Sequence, residues 1–349
     1  VARDRPTQKV KRTFAALVAT VCAAMAQQER IELALPTEND ALFANDGPAF
    51  YQHIERDYQG VKSQPWQGGQ YGFVRDPVQT HDGLIYARFH EGIDIRPLQR
   101  DAAGEPLDEV RAIGDGIVVH TNTNAAWSNY GNYIVIEHRW SGAPFYSLYG
   151  HLKSVDVKTG RRVARGEHIA QMGYTGAGLN QERAHVHLEL NMMLSREFQS
   201  WYQAFNKTEP NHHGVYNGIN LIGLDIARLY LALRKRPELT IPQFLASEET
   251  FYRVKVPASK HFDLAKLYPW LVHGGEVQAT TREISFNRAG VPLKIVPVPE
   301  PVSAPTVSFI KKRDVDYSLL TRNVVGGNGA NPALTDSGMK LMQLLTWPN

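Results

Sequence analysis

The chain has 349 residues, 43% of them hydrophobic and 21% charged, with a formal net charge of +3. Scattered glycine and proline in such a composition exclude a disordered or fibrous protein, and the length suggests about two domains. Residues 1–26 carry Arg3, Arg5, Lys9, Lys11 and Arg12 against Asp4, net +4, so the rest of the chain stands at −1 and offers no electrostatic case for nucleic acid.

That first segment reads as a secretory signal. Basic residues precede the apolar run from Phe14 to Val21, and Ala24-Met25-Ala26 places small residues where a signal peptidase needs them. The run is far short of the ~20 residues that a bilayer span demands, so no stable membrane insertion is expected once the segment is removed. Its alternatives are a buried N-terminal helix and lipid attachment at Cys22, against which Thr20 and Val21 stand. Cys22 is the single cysteine, so the exported part has neither thiol nor disulfide.

An N-terminal extension is assigned to residues 27–69. From Asp76 to about Leu190 short strands alternate with glycine turns, the spacing of an all-β sandwich or barrel. The strands read as Ala112 to His120, Asn132 to His138, Pro144 to Tyr149 and His185 to Leu190, with turns at Gly114-Asp115-Gly116, Gly131-Asn132, Thr159-Gly160 and Gly176. In NYIVIEH, Ile134, Ile136 and His138 share one face and Tyr133, Val135 and Glu137 the other. Leu194 to Phe205 reads as helix. So does DIARLYLALRKRP, where Ile226, Leu229, Tyr230 and Leu233 follow helical spacing behind a capping Asp225 and ahead of Pro237. Residues 70–247 are therefore taken as one β domain with helical additions. The C-terminal region, 248–349, is of mixed character: strand-like FYRVKV and ISF, a helical FDLAKLYPWL, and a stiff Pro-rich run over 291–305. No constellation in it points to a chemistry.

The histidines carry the functional signal. In HEGIDIRP, residues 90–97, His90 and Asp94 are four apart, but Gly92, two isoleucines and Pro97 argue for extended chain rather than helix. In AHVHLEL, His185 and His187 are two apart on a strand, so both imidazoles emerge from one face. His151 in LYGHL follows a strand and precedes a turn. Alone, each pattern describes an ordinary histidine. Together they offer the three N or O ligands of a catalytic zinc with one open position for water. His90, Asp94 and His187 supply the three; His151 and His185 remain to take a proton from the water or to stabilise an oxyanion.

In that combination the chain resembles the lysostaphin-like, or LytM-type, zinc metallopeptidases that act as peptidoglycan endopeptidases. The resemblance rests on HxxxD at His90 and Asp94, the YGHL box at Tyr149-Gly150-His151-Leu152, and HxH at His185 and His187. The stretches AIGDGIVV, YGNYIVIEH and GRRVARGEHIAQMGYTG support it, and it covers about residues 70–190. It implies a mainly β, barrel-sandwich-like metallopeptidase core, Zn2+ on His90, Asp94 and His187, and catalytic His151 and His185. It further implies peptidoglycan peptides as substrate and location in a bacterial periplasm or envelope, or secretion. The helices after 190 and the tail beyond 248 lie outside the familiar core and can cover the groove. Tyr86 reads as a packing tyrosine in a loop, with an oxyanion donor as the alternative, and His138 as a structural histidine rather than a partner of the ligands. His212 and His213 read as a loop pair, and His53 has no partner by spacing. Two other functions stay open: a noncatalytic envelope protein that binds peptidoglycan or activates another wall hydrolase, and a peptidase acting on exported proteins. Oligomeric state is not legible.

Overall fold

The segment Tyr133–Trp140 is rich in β-branched and aromatic residues and folds back on Ala143–Gly150 through Ser141 and Gly142. Both turn residues have positive φ, 54° and 72°, the left-handed pair that a two-residue hairpin requires. In a computed structural model describing residues 30–53, 64–81, 83–274, 279–329 and 331–348, this hairpin is the centre of the main sheet. The expected signal segment, with Cys22, lies outside the described residues.

The first ten strands are β1 (Gly72–Thr80), β2 (Gly83–His90), β3 (Ile93–Ile95), β4 (Glu109–Arg111), β5 (Gly116–Asn122), β6 (Tyr133–Trp140), β7 (Ala143–Gly150), β8 (Ser154–Val155), β9 (Arg162–Val163) and β10 (His168–Gln171). Next come β11 (Val186–Met193), β12 (Leu221–Leu224), β13 (Tyr252–Pro257), β14 (Thr281–Phe286), β15 (Pro292–Val298) and β16 (Thr306–Ile310). The main sheet runs β12-β11-β7-β6-β5-β9, with β3 sharing an edge of β11 with β12; a three-stranded sheet, β4-β10-β8, accompanies it. Ile134, Leu148 and Leu188 of the first and Val110 and Ile169 of the second are wholly buried in one core. The protein is thus mainly β, built of antiparallel sheets and not of a closed barrel. β1 and β2 form a separate two-stranded ribbon, and β15-β14-β13-β16 a C-terminal sheet.

The strand expected from Ala112 to His120 forms only from Gly116 and runs on to Asn122. Glu109–Arg111 pairs in the small sheet and Gly116–Asn122 in the large one, and Gly114-Asp115-Gly116 carries the chain across. A buried polar chain fixes that crossing. His138 bonds through Nδ1 to the Asp115 carbonyl at 2.8 Å and through Nε2 to the Ser147 hydroxyl at 2.7 Å. Ser147 lies 3.0 Å from the Tyr149 hydroxyl, which accepts from the Ile113 N–H at 2.8 Å.

The helix at Ile226–Lys235 forms as its spacing predicts, with the Asp225 carboxylate accepting from the Arg228 N–H and Ile226, Leu229 and Tyr230 buried. The preceding helix starts at Phe198 rather than Leu194. Ser195 holds the intervening chain in a turn, donating its N–H to Asn220 Oδ1 at 3.0 Å and accepting from the Glu197 N–H at 3.1 Å. The Pro-rich run expected over 291–305 is strand only from Pro292 to Val298, as β15. Residues 30–53 pack into the β core: Ile31, Leu42 and Phe50 are buried there, and Gln52 donates its N–H to the Asp94 carbonyl at 2.9 Å.

Burial lowers the His138 imidazole to about 4, against the raising effect of the Asp115 carbonyl. The folded state therefore resists protonation that the unfolded chain accepts below about 6.5. Stability from this group is complete above pH 6.5 and is lost as pH falls toward 4, roughly 2–3 kcal/mol by pH 4.5. Urea unfolding of wild type and His138→Gln at pH 7.5 and 4.5 should show the variant losing less stability on acidification by about that amount.

Candidate active site

Strand register brings the chemistry together. β11 lies between β3 and β7, and its pairing sets His187 opposite Asp94 on one side and Gly150 on the other. Directly opposed residues of antiparallel strands project to the same face, so Asp94 and His187 meet there. His185 precedes the strand by one residue, bridged to Gly173, and its ring comes to the same place. His90 arrives from another element, the end of the β1–β2 ribbon. Gly92 lets the loop between His90 and Asp94 lie on β11: a Cβ there would stand 2.2 Å from the Leu188 carbonyl oxygen.

His90 Nε2, His187 Nδ1 and Asp94 Oδ1 face one another, 3.1 Å between the two imidazoles, 3.1 Å from His90 to Asp94 and 2.8 Å from His187 to Asp94. A tetrahedral zinc with bonds of ~2.0–2.2 Å has ligand edges of roughly 3.3–3.6 Å, so small outward shifts of these atoms would admit the ion. They form a metal-compatible group, and all three residues are buried. His185 Nε2 lies 3.3 Å from Asp94 Oδ1, and the His151 ring is centred 4.7 Å from that of His185 and 5.8 Å from that of His187.

Each imidazole is held from behind. His90 Nδ1 bonds to the Gln70 carbonyl at 2.8 Å, His151 Nδ1 to the Thr175 carbonyl at 2.8 Å, and His185 Nδ1 to the Arg183 carbonyl at 2.7 Å. His187 is turned round, its Nε2 bonding the Glu189 carboxylate at 2.8 Å. A carbonyl only accepts, so each such ring carries its N–H on the outer nitrogen and presents the other inward. Such outer partners fix ring orientation and raise the basicity of the inner nitrogen. Asp94 is anchored likewise, its Oδ2 receiving the Arg75 guanidinium, which also donates to the Gly68 carbonyl at 2.8 Å.

The charges follow from these contacts. Burial alone would raise the Asp94 carboxyl, but His90, His185 and Arg75 outweigh it and keep the group ionised. Burial would lower His187, yet its hydrogen bonds to Asp94 and Glu189 raise it to about 10. Glu189 is held ionised by His187 against its own burial. His151 is pushed well down by burial, with His185 and His187 adding to the effect. It also has a left-handed backbone, φ 64°, a strained state for a side-chain-bearing residue.

The five residues singled out in the sequence thus share one site: His90, Asp94, His151, His185 and His187 all line a groove of about 1440 Å³. Tyr86 does not join them. It lies in strand β2, not in a loop, and four residues of extended chain put it about 13 Å from His90. His138 is bound to Asp115 and Ser147 in the core. His212 stacks on Trp127, centroids 4.3 Å apart, and His213 bonds the Trp127 carbonyl at 3.0 Å. His53, without a partner by spacing, lines the groove. Sequence reasoning passed over Arg75, Glu189 and Tyr130, whose hydroxyl donates to Glu189 at 2.7 Å. Glu189 had a signal: it follows His187 by two on a strand and so shares its face.

A mainly β domain bearing a metal-compatible pair of histidines and an aspartate, flanked by two further imidazoles, is the arrangement that the resemblance to lysostaphin-like metallopeptidases implies. Residues 88–198 match the model of Peptidase family M23. Among characterised relatives, it is 39% identical over 116 residues to the peptidoglycan DD-endopeptidase ShyA of Vibrio cholerae, covering 33% of this chain and 23% of that protein. It is 32% identical over 114 residues to a lipoprotein NlpD/LppB homolog of Pseudomonas aeruginosa, covering 31% of this chain and 33% of the relative. The match therefore spans only about a quarter to a third of the length of these relatives. Similar solved structures include a zinc containing peptidase from Vibrio cholerae, at 29% identity and TM-score 0.24 over 41% of this chain and 36% of that one. The catalytic domain of lysostaphin from Staphylococcus simulans is similar at 27% identity and TM-score 0.24, over 37% of this chain and 84% of that domain.

Glu189→Gln retains an acceptor for His187 but removes the charge. Zinc affinity measured by chelator competition should fall about tenfold, with the circular dichroism spectrum unchanged.

Proposed function

We propose that this chain is a zinc-dependent endopeptidase that hydrolyses peptide bonds of bacterial peptidoglycan, in a cross-bridge or stem peptide. The observation that carries the reading is the convergence of His90 Nε2, Asp94 Oδ1 and His187 Nδ1 within 3.1 Å of one another, beside His151 and His185, in an open groove. The relative named as a peptidoglycan DD-endopeptidase supports the substrate class. Action on that polymer puts the chain in the cell envelope or outside the cell, in keeping with the expected export signal. Among the described residues no helix is long and apolar enough to cross a membrane.

His90, Asp94 and His187 would hold the zinc, and the donor set suits it: two neutral imidazole nitrogens and a carboxylate, each fixed by an outer partner. Bound there, zinc supplies Lewis acidity, polarising the scissile carbonyl and lowering the pKa of water toward neutrality. The protein groups divide the remaining work by their partners. His151 spends its Nδ1–H on Thr175, which leaves Nε2 to accept the proton of the attacking water. His185, whose Nε2 lies 3.3 Å from Asp94 Oδ1, is the second imidazole beside the reacting carbonyl and steadies the negative charge that develops on its oxygen.

A second reading, a noncatalytic envelope protein with structural zinc, draws on the same 3.3 Å approach of His185 to Asp94, since His185 as a fourth ligand would close the site. Purified sacculi separate the two. The enzyme releases peptides that a chelator suppresses and zinc restores, whereas the binding protein releases none. His187→Ala should lose zinc and hydrolysis together, and His151→Ala should keep zinc while hydrolysis falls at least about a hundredfold. Full hydrolysis by either variant would refute the assignment; cleavage of casein with no wall product would transfer the activity to exported proteins.

A further inference from the structure

The C-terminal residues, opaque in sequence, meet the site at a telling point. Arg322 Nη2 donates to Glu91 Oε1 at 2.8 Å, across 231 positions of chain. Glu91 follows His90 directly. The same guanidinium stands 4.6 Å from the centre of the Phe89 ring, the residue just before His90. Arg322 therefore grips His90 by both of its neighbours. A parallel contact holds the other strand of the ribbon, where Arg288 lies 4.3 Å from the centre of the Phe73 ring, and Phe73 pairs with Phe89.

This grip answers a mechanical need. His90 is the one residue of the metal-compatible group that does not belong to the main sheet; it ends a two-stranded ribbon, a unit that is marginal by itself. Something must hold that ribbon while Asp94 and His187 stay on the sheet. The backbone at Arg322 and Asn323 is left-handed at both positions, φ 56° and 59°, in residues that are not glycine. Such strain persists only where the surroundings enforce it, and it gathers at working sites. Around this turn, Ser318, Leu319, Asn323 and Leu341 line the groove that also holds His90.

We propose that the C-terminal region is a working part of the active site: Arg322, through Glu91 and Phe89, is a positioning residue for His90, and Ser318, Leu319, Asn323 and Leu341 supply one wall of the substrate groove. The inference rests on the zinc endopeptidase reading for its metal and substrate, but not for the latch itself.

Three measurements on the full chain test it: zinc affinity by chelator competition, amide hydrogen exchange over residues 72–90 without added metal, and kinetics on wall peptides. Glu91→Gln and Arg322→Ala should each weaken zinc about tenfold and speed exchange in the ribbon, and the double variant should be no worse than either single. Ser318→Trp should raise KM with zinc affinity unchanged. If Arg322→Ala does not fold, Glu91→Gln, which leaves the Phe89 contact in place, decides alone. Wild-type zinc affinity and ribbon exchange in Glu91→Gln overturn the latch, and an unaltered KM in Ser318→Trp overturns the wall. A wild-type chain that binds no zinc refutes the metal reading instead, and exchange over residues 72–90 then still decides the latch.

Discussion

The site depends on one constraint, the antiparallel register that sets His187 of β11 opposite Asp94 of β3. A slip by one residue would turn one of the two side chains to the far face of the sheet. Several contacts pin that register. Gly92 sits too close to the Leu188 carbonyl for any side chain, and Gly223 too close to the Glu91 carbonyl, so the loop and its two neighbouring strands interlock through backbone. From the other side, Gln52 donates to the Asp94 carbonyl and the Arg96 N–H to Phe50, which closes β3 between β11 and the N-terminal segment. The positions of Asp94 and His187 are thus set by main-chain bonds, the least adjustable part of a protein.

Given that frame, acceptors placed behind the rings decide what the histidines present. Gln70, Thr175 and Arg183 act through their carbonyl oxygens, which any residue type would provide. This explains why that shell was silent in the sequence: the identity of the residue carries no information when its backbone does the work. The five principal residues were legible because each depends on side-chain chemistry and local spacing. HxxxD read correctly as extended chain, since Gly92 and the β-branched Ile93 and Ile95 oppose a helix, and HxH needed only the two-residue period of a strand.

The remainder hid for a different reason. Arg75 reaches Asp94 from a strand whose pairing shifts register between Phe73 and Arg75, a local bulge that re-aims the side chain and leaves no mark in composition. Arg322 meets Glu91 across 231 positions of chain, so no window of sequence could join them. The β architecture itself was readable from turn spacing, because glycine and the hairpin turns report local backbone need. The division at Gly114-Asp115-Gly116 was not, since a crossing between sheets and a bend within one strand use the same residues.

Charge balance connects the buried cluster to the chemistry proposed for it. Asp94 and Glu189 are both ionised within the core, and the Arg75 guanidinium and a proton shared by His187 offset them. Burying two carboxylates is tolerable only with such compensation. With a divalent cation in place of that proton, the two carboxylates and the guanidinium leave the cluster with a single net positive charge. That is the sign required beside a carbonyl oxygen that becomes an oxyanion. Removing the Glu189 charge would make the cluster more positive still, but it would also weaken the His187 nitrogen as a donor and so the hold on the cation. On the proposed reading, retention of a metal would be balanced against its power to draw electrons, and Glu189 is the residue at which the two demands would meet.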